Sequence, residues 1–124
     1  MDHPGDDSAP PGAELLGELA REVDRVADRL RVLAPQRLAA TADPYGRSVA
    51  AVASATAQLL ADAAAALEAP GRGRRELPQL PGHALGDQVA VTGHDLLSAL
   101  AEHPDEGVTR SALASLQALR RVLP

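Results

Sequence analysis

From Leu16 to Leu33 the chain places an apolar residue at alternating steps of three and four: Leu16, Leu19, Val23, Val26, Leu30 and Leu33. That a/d spacing lies along one side of an α-helix and does not fit a strand, whose side chains alternate with a period of two. The stretch is therefore a helix that must bury one stripe against other helices. On the side read as solvated, Glu22 with Arg25 and Asp28 with Arg31 stand three residues apart, pairs worth about 0.2–0.5 kcal/mol each. Pro35 is expected to stop or kink this helix.

Three more segments read as helices. Asp43 followed by Pro44 resembles a helix start, with a carboxylate to cap free amides and a proline where its missing donor costs nothing. From there Tyr45, Val49, Val52, Thr56, Leu60, Ala63 and Leu67 share a narrow face. Thr56, at the centre of that face, is expected to donate its hydroxyl to the Val52 carbonyl. The opposite face, Ala51, Ser54, Gln58, Ala61 and Ala65, can either stay solvated or pack closely against a second subunit. A third helix is expected to turn Leu85, Val89, Leu96 and Leu100 inward. A fourth is expected to bury Val108, Ala112, Leu116, Leu119 and Leu123, with Arg120 and Arg121 complementing the dipole of its last turn.

The spacing thus predicts helices over 13–34, 44–69, 83–102 and 105–123, with a linker over 70–82 and a disordered, Pro- and Asp-rich tail over 1–12. No alternating strand pattern appears, and the expected fold is all-α: an antiparallel, up-down four-helix bundle forming one domain over 13–124.

Composition limits what this bundle can be. The apolar residues are almost all Ala, Leu and Val, with one Tyr, one Met and no Phe or Trp. So thin a core in 124 residues is expected to need partner burial or self-association for part of its stability. All 12 basic residues are Arg, the usage of a GC-rich bacterial genome. A net charge of −5 argues against a nucleic-acid surface. Without Cys there is no disulfide or thiolate site. No apolar run is seen to approach the roughly 18 residues of a membrane span, and the acidic start is unlike a secretory signal. Cytoplasmic residence follows as the expectation.

Chemistry is sparse. The phosphate-binding, nucleophile-elbow and zinc-protease motifs are absent, as are the Glu-x-x-His units of di-iron bundles. His83, Asp87 and His94 share one polar face. Asp87 and His94, however, stand about 10.5 Å apart along the axis, too far to ligate one ion. No metal or cofactor is expected. Arg72, Arg74 and Arg75 in the linker form a basic spot that suits phosphate or an acidic partner, though such arginines commonly sit in solvated loops.

His94-Asp95-Leu96-Leu97-Ser98-Ala99-Leu100 resembles the phosphoacceptor box of dimerising histidine-kinase domains. The resemblance implies His94 as phosphoacceptor, Asp95 as proton acceptor and Ser98 as orienting hydroxyl. Leu97 replaces the usual basic residue, which weakens phosphate binding, and Ala99 stands in place of the usual proline. The sequence therefore leads to a non-enzymatic bundle that acts through protein contacts, a second copy of itself included. A phosphotransfer or small-ligand bundle built on His94 is the alternative.

Overall fold

The computed structural model describes residues 11–124, so the expected tail lies, for residues 1–10, outside the described residues. The described chain is all-α, with four long helices packed together: α1 (Pro11–Arg31), the short α2 (Pro35–Leu38), α3 (Val49–Glu68), α4 (Leu85–Glu102) and α5 (Glu106–Val122). Pro11 and Gly12, which composition assigned to the tail, begin α1. The end of α1 comes at Arg31, earlier than expected. The Leu33 N–H then turns back to the Leu30 carbonyl, and Pro35 occupies the first turn of α2.

The second long helix starts five residues later than Asp43-Pro44 suggests. Asp43 caps a turn: Oδ1 accepts from the N–H groups of Tyr45 (3.1 Å) and Arg47 (2.9 Å), and Oδ2 accepts from the Arg47 guanidinium. Partial burial pushes the Asp43 carboxyl up, but the Arg47 amide and guanidinium and the Tyr45 amide outweigh it and hold it below its ordinary range. Gly46, at φ 82°, sits in the left-handed region and prevents a helix there. Ser48 is the true cap, accepting from the Ala51 N–H at 3.0 Å. Tyr45, expected inward, is 88% exposed.

Most large apolar residues fall where periodicity places them, although Leu16, Leu33 and Val108, at the helix ends, are only half-buried. Leu19, Val23, Val26 and Leu30 of α1, Leu85, Val89, Leu96 and Leu100 of α4, and Ala112, Leu116 and Leu119 of α5 with Leu123 just beyond it are all buried. On α3 the buried face is rotated toward Ala53, Ala57 and Ala64, leaving Val52, Ala63 and Leu67 half-buried. α3 is also the one helix among the described residues long and apolar enough to cross a membrane by length and composition. Its alanines raise the average even though Ser, Thr, Gln and Asp interrupt the run, which corrects the expectation that no segment approaches that length. Thr56 donates to the Val52 carbonyl at 2.9 Å, as its spacing predicts, and Thr92 and Thr109 do the same to residues 88 and 105. Because the hydroxyl is satisfied within its own helix, Thr56→Val is expected to shift stability by less than about 1 kcal/mol in urea unfolding. A loss above about 2 kcal/mol would reveal a wider polar network.

The directions of the helices follow from their contacts. α1 and α4 are antiparallel, with Asp24 beside His94 and Arg31 beside Asp87. α3 and α4 run parallel, since Ser48 shares a cleft with Leu85 at one end and Ala65 shares another with Asp95 further along. α5 lies parallel to α1, with Leu16 near Thr109, Glu22 on Arg120, and Arg29 on the Leu123 and Pro124 carbonyls. The helices therefore go up, down, down, up, where strict alternation was expected. Residues 70–81 are the reason: instead of crossing an end of the bundle, they run back along α3.

Two side chains on α1 and α5 also differ from expectation. Glu22 is 2% exposed, and its carboxylate holds both Arg25, at 2.8 Å, and Arg120. Its heptad position flanks the a/d stripe on the side that α5 covers. Arg120 is thereby drawn to Glu22 across the α1–α5 seam and away from its own helix end.

Candidate functional site

α4 is flanked by α1 and α3, so its outward strip is narrow. His94 projects from this strip, and its Nε2 donates to Asp24 Oδ1 on α1 at 3.1 Å, with both side chains more than half exposed. Two turns earlier on the same seam, Asp87 accepts from Arg31 Nε at 2.9 Å. The Asp87 hydrogen bond and charge, with those of Asp28, raise the Arg31 guanidinium above its ordinary pKa despite some desolvation. His83 stands apart in the 3-10 turn Gly82–Ala84 and is exposed. No cluster of three or more metal-ligating side chains occurs among the described residues.

Neighbours in the sequence are not neighbours here. Asp95 points to the other flank of α4, into a cleft of about 560 Å³ shared with Ala61 and Ala65 of α3 and with Arg72, Arg74 and Arg75. Ser98 is exposed. The relay that the phosphoacceptor resemblance implies would need Asp95 beside His94, and the group found on His94 is Asp24, 70 residues away. No sequence pattern could have paired them. A carboxylate on Nε2 suits holding an imidazole in place and repels an incoming phosphoryl group. We expect His94→Gln to change unfolding stability by no more than about 0.5 kcal/mol, as at other exposed positions. Acetyl phosphate should leave no acid-labile label on the chain. Label lost in His94→Gln and reduced in Asp95→Asn would restore the phosphoacceptor.

The remaining residues expected to make contacts lie on and around α3. Ala51 and Ala65 are exposed, whereas Ser54, Gln58 and Ala61 are half-buried, because the 70–81 segment lies over this face. Gln58 is its main anchor: Nε2 donates to the Arg75 carbonyl at 3.0 Å and to Asp62 at 2.8 Å, while Oε1 accepts the Leu77 N–H at 2.8 Å. Arg74 pairs with Asp62 at 3.1 Å, and Gln88 on α4 donates to the Pro78 carbonyl at 3.3 Å. Arg72 and Arg75 are exposed. Beside the segment, toward α5, α3 presents an apolar row at Ala55, Leu59 and Ala66, all exposed. Leu59 and Ala63 line an open groove there with Val108 and Ala112. The carboxamide role of Gln58 was missed in the sequence. A lone glutamine in an alanine-rich helix has no pattern, and its partners come from a linker whose path the sequence does not state.

No protein-family model, no curated protein and no solved structure matches the chain.

Proposed function

We propose that this chain is a non-enzymatic, cytoplasmic helical bundle that acts through protein contacts and associates with a second copy of itself through α3. One observation carries the reading: α3 is long and apolar enough to span a membrane, yet only 33% of its 18-residue apolar stretch is buried inside the bundle. Its charged residues are Asp62 and Glu68 alone, and Leu59 is 42% exposed in the middle of the helix. An uncharged face of small residues and leucine is self-complementary, as a twofold interface requires. Burying it would also supply apolar area that a core of Leu, Val and Ala lacks.

Sedimentation equilibrium tests the proposal. The chain should be dimeric in the micromolar range, and Leu59→Glu should return it to monomer without loss of helical circular dichroism. A strict monomer up to high micromolar concentration with a cooperative thermal transition would exclude self-association. A dimer indifferent to Leu59→Glu would exclude this face.

A further inference from the structure

Of residues 70–81, Leu77 alone is half-buried; the others are exposed. The segment is held chiefly through its backbone. Gln58 takes the carbonyl of Arg75 and the N–H of Leu77 with its two carboxamide atoms, a two-way clamp that reads extended main chain rather than side chains. Gln88 begins a second clamp, donating Nε2 to the Pro78 carbonyl. That clamp is incomplete: Gln88 is 7% exposed, and its Oε1 is buried without any partner. A native interior seldom leaves such an acceptor unmet, since desolvating it is unfavourable. The N–H at the offset Gln58 uses, two residues past the carbonyl, belongs to Leu80, and it does not reach Oε1. Between segment and α3 a cleft of about 470 Å³ stays open, lined by Ala51, Ser54, Gln58 and Leu80. The chain's own segment therefore fits the groove imperfectly.

The geometry points to the α3–α4 groove as a docking site for an extended peptide segment of a partner protein, with residues 75–81 as a tethered stand-in. The peptide would place a leucine where Leu77 packs against the core. It would present backbone carbonyl and N–H groups two residues apart to Gln58, then a second such pair to Gln88, completing the bond the stand-in leaves unmade. Proline suits the first position of the second clamp, where Pro78 offers its carbonyl to Gln88 and has no N–H that needs a partner. This inference rests on the protein-contact reading and adds the chemistry of the partner. It uses the face of α3 beside the self-association row, so the two fail separately: peptide binding does not depend on Leu59.

The probe is a synthetic peptide of residues 74–81, added to a chain in which residues 76–80 are replaced by Gly-Ser-Gly-Ser-Gly. Two-dimensional NMR follows the side-chain amides of Gln58 and Gln88. A saturable shift of both is expected in the replaced chain. In the intact chain the tethered segment competes at high effective concentration, so binding there should be at least about tenfold weaker. A peptide carrying Leu77→Ser should not bind. Absence of a shift in a folded replaced chain, or equal binding by the Leu77→Ser peptide, would overturn the proposal. Should the replaced chain not fold, hydrogen exchange of the intact chain decides. A displaceable segment requires the Leu77 N–H to exchange far faster than the core amides of α3, and equal protection would overturn the proposal.

Discussion

Gly93→Ala is expected to destabilise the bundle by about 2–3 kcal/mol, although the same change at an ordinary helical site would stabilise it by up to about 1 kcal/mol. A Cβ built on Gly93 would stand 2.6 and 2.8 Å from the two methyl carbons of Val23, which is fully buried. One heptad earlier, a Cβ on Gly86 would meet the Ala27 carbonyl oxygen at 2.8 Å, a backbone atom that cannot turn aside. With Ala90 between them, these glycines bring α4 onto α1, so a methyl group at either forces the helices apart and loosens the packing between them. Urea unfolding reads the loss. Adding Val23→Ala to Gly93→Ala should give a smaller combined loss than the two single changes predict, since one removes the atoms the other strikes. A stabilising Gly93→Ala would mean that the helices do not approach this closely.

Arg120→Met is expected to cost about 3 kcal/mol, because it leaves the buried Glu22 carboxylate with Arg25 alone, and removing one partner of a buried charge strands the other. Arg25 is the weaker support, its side chain being half exposed, against 37% for Arg120. Replacing both Glu22 and Arg120 by Met should recover most of the loss, as apolar pairs commonly match buried ion pairs in stability. Equal losses in the single and double variants would show that Glu22 matters through its own shape and not through its charge.

Legibility from the sequence followed residue size. Leucine and valine spacing located all four long helices and most of their inward faces. Alanine and glycine carry no such signal, because alanine suits any helix position and glycine looks like a weakness. The rotation of α3 onto Ala53 and Ala57 and the glycine contacts of α4 were therefore invisible. Asp43-Pro44 misled because a carboxylate that caps a turn looks the same in sequence as one that caps a helix. Glu22 misled because its three-residue spacing to Arg25 is real, while its burial depends on α5. The candidate site was legible only as exposed residue types. His94 was correctly placed on an open face, but Asp24, Gln58 and Gln88 acquire their roles from helix directions set by the returning 70–81 segment.

That return has a mechanical consequence. Were the helices to alternate strictly, α1 would start and α5 would finish at the same end of the bundle. Here Gly12 lies beside Pro104 and Asp105 at one end, while the Pro124 carbonyl accepts from Arg29 near the other. A helix of 21 residues separates them, about 30 Å at the usual rise. Tension applied between Gly12 and Pro124 would therefore slide α1 along α5 instead of peeling one from the other. The Glu22–Arg120 pair and the Arg29 bonds would then bear load together, as in a rod gripped at both tips.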